Sequence, residues 1–336
     1  MEKKNDVALE VSNLVVEYVT SDGTVHAVND VSFSVDRQKA LGLVGETGAG
    51  KTSTALSIMN LLQSPPGVIR QGKIVVNGFD VLAMSDTELD KVRGKEIAMI
   101  FQDPMVALNP VMSIGDQIAE SVLKHEKTSR ENAFERACQM LEMVGINRSR
   151  ATDYPHQLSG GMKQRVIIAI ALCCNPHLLI ADEPTTALDV TIQAQVLDLI
   201  DKLREDYRTS MLLITHDLGI VAEMCDEVAV MYAGHIVECG TVKEVFTDTR
   251  HPYTEGLFDS LPNINDRAAQ LKPIPGLMPD PTVFQEDCAF APRCKYATDD
   301  CFKNQPMLKE FSGTHKVACL AYDRRGFSIE RSRRNG

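Results

Sequence analysis

No stretch of this 336-residue chain approaches the roughly 20 consecutive apolar residues that a membrane-spanning helix requires. The longest apolar run, residues 166–174, is far shorter and reads as a buried helix. If the protein works at a membrane, other chains are expected to do the crossing. The first ten residues are charged and lack an apolar centre, so no export signal is expected. Long basic runs are also missing. The one Arg-rich stretch is the last dozen residues, around Arg331, Arg333 and Arg334, read as a frayed, solvated end. Together with a formal net charge of -11, this argues against nucleic acid as the main partner, because phosphate backbones need clustered Lys and Arg. There is no internal repeat and no coiled-coil pattern. The nine cysteines are an odd number, which argues against a closed disulfide set, and without an export signal a reducing compartment is expected.

What is present supports a real core: 44 % of the residues are hydrophobic, and the length suits one large domain with an extension. Residues 7–18 and 28–35 read as Val-rich strands flanking a Ser21-Asp22-Gly23 turn. A short apolar strand at 40–44 runs into a Gly-rich loop and a helix over about 50–62. Residues 73–76 form a strand closed by Asn77-Gly78, and 97–101 form another. From 103 to 155 the pattern is helical and amphipathic, for example over 131–144. Residues 178–181 and 211–215 read as buried parallel strands, and 228–232 with 236–238 as a hairpin across Ala233-Gly234. After residue 250 the character changes: Pro273, Pro275, Pro279 and Pro281 mark an irregular linker ahead of a cysteine cluster. Alternating helices and strands predict an α/β fold around a mainly parallel sheet.

The chemistry starts at Gly45-Glu46-Thr47-Gly48-Ala49-Gly50-Lys51-Thr52, a G-x-x-x-x-G-K-[ST] phosphate loop between a predicted strand and a predicted helix. The glycines let backbone N–H groups curl around phosphate oxygens, and the helix adds its positive end. Lys51 supplies a point charge for the β- and γ-phosphates, and Thr52 a hydroxyl for Mg²⁺. A second apolar strand ends in Asp182-Glu183. Asp182 can hold the Mg²⁺ shell and Glu183 can polarise an attacking water as general base. Three more elements follow in order. Gln102 lies 51 residues after Lys51; Leu158-Ser159-Gly160-Gly161-Met162 ends 20 residues before Asp182; His216 lies 33 residues after Glu183. Each has a plain alternative: a surface amide, an ordinary helix cap, a core histidine.

Jointly these motifs resemble the ATP-binding-cassette ATPases over about residues 7–250. The resemblance implies a P-loop fold with a RecA-like core, an antiparallel β subdomain and a helical subdomain at about 103–160, with ATP and Mg²⁺ bound. Tyr18 is similar to the aromatic that stacks on adenine, with a core strand tyrosine as its alternative. Gln102 resembles the residue that senses Mg²⁺ and water. Residues 158–162 resemble the signature motif, with Met162 where Gln is commoner. Ala187-Leu188-Asp189 resembles the loop joining the two sites of a dimer, and His216 the histidine that contacts the γ-phosphate. In this family Ser159, Gly160 and Gly161 meet the γ-phosphate held by the other subunit, so one chain supplies half of each of two sites.

A closer resemblance is to the ATPase subunits of oligopeptide, dipeptide and nickel importers. It rests on Phe101-Gln102-Asp103-Pro104 with Ala107-Leu108-Asn109-Pro110, on His251-Pro252-Tyr253-Thr254, and on Pro275-Gly276. It implies a nucleotide-binding domain at 1–250 and a C-terminal extension at 251–336. Its implied partners are a second, related ATPase in a heterodimer, two membrane-spanning permease subunits and an extracytoplasmic substrate-binding protein, with the chain peripheral on the cytoplasmic face of the membrane. Di- or oligopeptides are the expected cargo, with nickel import or a non-transport mechanical role as alternatives. The cysteines are spaced Cys288-x5-Cys294-x6-Cys301-x17-Cys319, without the paired knuckles usual for structural zinc. Four thiolates on irregular loops suit a [4Fe–4S] cluster, which the resemblance also implies; zinc and unliganded thiols are the alternatives. The cluster and the phosphate loop are expected to belong to separate folding units.

Overall fold

In chain order the elements of the computed structural model are β1 (Val7–Thr20), β2 (Gly23–Asp36), β3 (Ala40–Val44), α1 (Lys51–Ile58), β4 (Gly67–Val76), β5 (Phe79–Asp80), α2 (Asp86–Val92) and β6 (Ile97–Ile100), then α3 (Ile114–His125), α4 (Arg130–Met143), α5 (Gly160–Leu172) and β7 (Leu178–Asp182). They continue with α6 (Val190–Tyr207), β8 (Ser210–Thr215), α7 (Leu218–Met224), β9 (Glu227–Tyr232), β10 (His235–Thr241), α8 (Val242–Thr247), α9 (Pro252–Asp259), β11 (Lys309–Ser312) and β12 (His315–Val317). The structure describes residues 6–103, 107–186, 189–261, 273–324 and 326–330. Pro104, Ala187, Leu188, Arg331, Arg333 and Arg334, singled out above, lie outside the described residues.

The chain divides into two compact units. The first comprises Met1–Glu10, Ser34–Ala40 and Ile74–Ile214. In it β6, β7 and β8 pair in parallel, with Ile97 opposite Leu178 and Leu178 opposite Ser210. Every residue of these three strands is buried, which suits strands covered on both faces. The helical stretch expected over 103–155 contains α3 and α4. Ser113 and Ser129 cap α3 and α4 by accepting from the Asp116 and Asn132 N–H groups, and Ile114, Ile118, Ala133, Ala137 and Leu141 are buried between the helices. Close approach is set by Gly115: a Cβ there would stand 2.7 Å from the Ala151 carbonyl oxygen.

The second unit comprises Val11–Phe33, Leu41–Lys73 and Thr215–Gly336. Here β3 pairs in parallel with β9, and β9, β10, β12 and β11 continue antiparallel. The helix after the Gly-rich loop is shorter than 50–62. It ends at Ile58 because Asn60 takes a left-handed conformation (φ 49°) ahead of Pro65 and Pro66.

The segment after residue 250 departs most from expectation. It is irregular in part, but β12 adds to β10, placing Val317 opposite Glu238. The His315 ring Nε2 lies 2.8 Å from the Glu238 carboxylate, both fully buried. Glu238 also accepts the backbone N–H groups of Arg250 and His251, at 2.6 and 3.0 Å. Aromatic packing completes the join: Tyr232, Tyr253 and Phe290 stack edge or tilted at 4.6–5.5 Å, in one core with Val44, Val228 and Val230. The cysteine-bearing segment and the phosphate loop therefore fall in one compact unit rather than in two.

Candidate functional site

The phosphate loop sits between β3 and α1. The Lys51 side chain is buried, and its Nζ donates to the carbonyl oxygens of Gly45 (2.7 Å) and Glu46 (3.1 Å), folding it back over the loop. Two glycines are required by geometry. Gly50 has φ 104°, and a Cβ there would lie 2.2 Å from the Ala27 carbonyl oxygen; Gly48 has φ 86° and open space where a Cβ would go. Thr47, Gly48 and Thr52 are exposed, whereas Ala49 is buried. A cavity of about 320 Å³ borders Thr47 and Gly48, with Met278, Pro279 and Pro281 on its wall. A larger one of about 690 Å³ lies elsewhere in the unit, between Val15, His235, Phe284 and Met307. Volume alone would select the larger, but only the smaller borders the phosphate loop, through Thr47 and Gly48.

Tyr18, on β1, is half-buried rather than a core residue, and its hydroxyl lies 3.0 Å from the Ser53 Oγ on the first turn of α1. His216 is exposed directly after β8, which removes the core-histidine alternative. Two residues not singled out for a role hold the loop. The Glu46 N–H donates to the Tyr253 hydroxyl at 2.8 Å, and the Glu46 carboxylate receives both arms of the Arg293 guanidinium, at 3.0 and 3.2 Å. Burial pushes the Tyr253 hydroxyl pKa up, which keeps it protonated. Tyr253 stands in the His251-Pro252-Tyr253-Thr254 motif; no local pattern marks Arg293.

The first unit carries the other candidates. Asp182 is 1 % exposed at the end of β7, a buried carboxylate suited to a cation's shell. Glu183 follows with φ 44°, a conformation uncommon for a residue with a side chain and concentrated at functional sites. Its backbone N–H donates to the Ile214 carbonyl oxygen at 2.9 Å. Its carboxylate accepts from the Gln102 amide at 3.1 Å and the Thr186 hydroxyl at 2.9 Å. Gln102 and Glu183 are thus brought together; Thr186 was not foreseen.

Ser159 is the exposed N-cap of α5, accepting from the Met162 N–H at 3.4 Å. Gly160 has open space around its absent Cβ, whereas a Cβ on Gly161 would meet Ile192 at 2.8 Å. Asp189 caps α6 by accepting from the Ile192 N–H at 3.0 Å, so the first turns of α5 and α6 adjoin. Met162 packs under Arg150, whose guanidinium reaches its sulfur at 3.3 Å.

Cys288, Cys294, Cys301 and Cys319 are free thiols, buried or half-buried. Burial pushes the Cys288 thiol up to about 11, Cys319 up to about 12, and raises Cys294; the neighbouring thiols add to each shift. Backbone N–H groups of Phe290 and Ala291 face Cys288, that of Tyr296 faces Cys294 at 3.4 Å, and that of Ala321 faces Cys319. Yet among the described residues no group of three or more His, Cys, Asp or Glu side chains is arranged to hold a metal ion. The expected ready-formed [4Fe–4S] cage is therefore not built: the thiols are neighbours, and Cys288 and Cys294 pack as apolar groups against the Tyr253–Phe290 core. Among the described residues no helix is long and apolar enough to cross a membrane.

Comparison with known proteins gives concordant findings. A family model described as ABC transporter matches residues 28–186, and one for the oligopeptide/dipeptide transporter C-terminal region matches 237–301. The oligopeptide transport ATP-binding protein OppD of Bacillus subtilis (strain 168) is 51 % identical, over 92 % of this chain and 87 % of its own length. OppD of Salmonella typhimurium is 45 % identical over 94 % of each chain. Among solved structures, cbiO1 from Clostridium perfringens, part of the ABC transporter complex cbiONQ, superimposes with a TM-score of 0.61 at 28 % identity, covering 72 % of this chain and 92 % of its own. The cassette MJ0796, solved as a dimer bound to ADP and Pi, matches in fold with a TM-score of 0.63 at 24 % identity, covering 70 % and 98 %.

Proposed function

The chain belongs to the family of ATP-binding proteins of oligopeptide/dipeptide ABC transporters, and from that premise we propose that it hydrolyses Mg-ATP to power the import of di- or oligopeptides. The observation that carries the catalytic part is Glu183, fixed at positive φ next to buried Asp182 with its carboxylate gripped by Gln102 and Thr186. A carboxylate held this way is oriented to take a proton from water as the γ-phosphate is attacked.

In this reading the N–H groups of residues 45–52 cradle the phosphates and Lys51 faces the β- and γ-phosphates. Tyr18 stacks on the adenine and His216 contacts the γ-phosphate. Thr52, Asp182 and Gln102 are the residues that would hold Mg²⁺, which would supply charge neutralisation to the phosphates. Ser159, Gly160 and Gly161 offer an exposed helix N-terminus to the γ-phosphate of a partner ATPase, with Asp189 beside them. Residues 1–250 serve as the nucleotide-binding module, 103–160 as the helical part that faces the permease, and 251–336 as the appended segment. Partners are a related ATPase in a heterodimer, two permease subunits and a substrate-binding protein, with the chain on the cytoplasmic face of the membrane.

The four cysteines are read as ligands of a structural [4Fe–4S] cluster. The support is that the four thiols lie close enough to influence one another and that backbone N–H groups face three of them. Such a cluster would cross-link the segment; ATP hydrolysis needs no electron.

Purification from detergent-solubilised membranes followed by mass spectrometry tests the transport reading. Two membrane-spanning subunits and a second ATPase should co-purify. Recovery with a soluble partner or nucleic acid in their place would overturn it.

A further inference from the structure

The phosphate loop contains a misplaced charge. Glu46 is its second residue, and a carboxylate there repels the triphosphate that the loop receives. Arg293, 247 residues away in the chain, answers it. Its side chain is 6 % exposed, and every N–H direction is used. Nη1 donates to Glu46 Oε2 at 3.0 Å and lies 3.3 Å from the Tyr232 hydroxyl; Nη2 donates to Glu46 Oε1 at 3.2 Å and to the Ile274 carbonyl at 3.5 Å; Nε donates to the Pro275 carbonyl at 2.9 Å. The planar fork thus grips the carboxylate bidentately and is itself fixed by two carbonyls of the segment after residue 250. Tyr253, from the same segment, holds the Glu46 N–H.

We propose that Arg293 is a positioning residue for nucleotide binding: it neutralises Glu46 and holds its carboxylate away from the phosphates, so that the segment after residue 250 sets the affinity of the phosphate loop for ATP. The inference rests on the reading of residues 45–52 as the ATP site. It assigns that segment a task in the nucleotide site of its own chain. Arg293 does not touch the reacting atoms; it acts through Glu46.

The test is a fluorescent-ATP titration of the full chain, with melting curves to certify folding. Arg293→Ala should weaken ATP binding on the order of tenfold, the scale of one unit charge acting across roughly 10 Å at an effective dielectric near 20. The loss should shrink at high salt. Adding Glu46→Gln to Arg293→Ala should restore most of the affinity, because the charge that Arg293 masked is gone. An arginine needed only for the fold would lose melting temperature together with affinity; one that masks the Glu46 charge loses affinity in a chain that still melts as the wild type does. Arg293→Gln, which keeps length and a donor, serves if the alanine variant does not fold, and should give the same loss and the same rescue. Wild-type affinity in a folded Arg293 variant, or a loss that Glu46→Gln leaves uncorrected, overturns the proposal. Lys51→Ala separates the two levels. If it binds ATP normally, the phosphate-loop reading fails; if it loses ATP while the Arg293 variants do not, only the role of Arg293 fails.

Discussion

The Gln102 side-chain amide donates to the Glu183 carboxylate at 3.1 Å, joining two residues that are 81 positions apart in the chain. Gln102 follows β6 and Glu183 follows β7, neighbours in parallel register with Ile100 opposite Ala181. The sheet therefore delivers both side chains to the same end, and the hydrogen bond leaves the carboxylate one preferred orientation.

Glu183→Gln should keep ATP binding and slow hydrolysis by ~10²-fold or more, the scale of losing a general base. The amide is isosteric and still pairs with Thr186, so the fold should be untouched. Lys51→Ala should instead weaken ATP binding itself. Single-turnover phosphate release together with a nucleotide titration distinguishes the two, and near-normal hydrolysis by Glu183→Gln would sink the assignment.

Ser159→Arg should damage the nucleotide site of the partner ATPase while leaving ATP binding by the isolated chain intact. Ser159 caps α5 at an exposed helix end with open space at Gly160, a surface that a long cation would block. The measurement is ATP turnover of the mixed complex beside a titration of the isolated variant. Lost ATP binding in the isolated variant would mean that Ser159 acts on its own chain's nucleotide.

Anaerobically purified protein should be brown and carry close to four irons per chain if the four cysteines hold one cubane, the count for that cluster type. Cys294→Ser should lose iron and lower the melting temperature. It should also weaken ATP binding, because Arg293 is the adjacent residue and grips Glu46. Iron analysis beside a nucleotide titration reads both effects. A colourless preparation with one tightly held zinc would refute the iron–sulfur reading and keep the structural one.

His251 makes the second unit sensitive to acid. Its Nδ1 accepts from the Tyr253 N–H at 3.1 Å, it is 2 % exposed, and burial pushes its pKa down to about 3. Between the unfolded value near 6.5 and about 3, the unfolded chain binds a proton that the folded chain refuses. Stability from this site is therefore full above about pH 6.5 and falls below it, by at most about 1.4 kcal/mol per pH unit. His251→Asn keeps a cap acceptor and removes the titration. Its melting temperature should decline less between pH 7 and pH 5 than that of the wild type, and equal slopes would exclude His251 as the source.

What the sequence could determine by itself was whatever a contiguous stretch encodes. The phosphate loop is legible because Gly48, Gly50 and Lys51 act through local backbone angles and bonds to Gly45 and Glu46, all within eight residues. The capping role of Ser159, three residues from its donor, is local too, and so are the fully buried runs β7 and β8. Strand ends and helix length were less secure, because a left-handed Asn60 ends α1 where the apolar pattern runs on to Leu62. Only the tertiary structure decided which distant side chains meet. Nothing near Arg293 announces Glu46, and nothing near His315 announces Glu238; each pair depends on how the segment after residue 250 adds β12 to β10 and stacks Phe290 on Tyr232 and Tyr253. Such pairs follow from sheet register and core packing, which the whole chain determines at once, and so the link from the cysteine-bearing segment to the phosphate loop could not be read in advance.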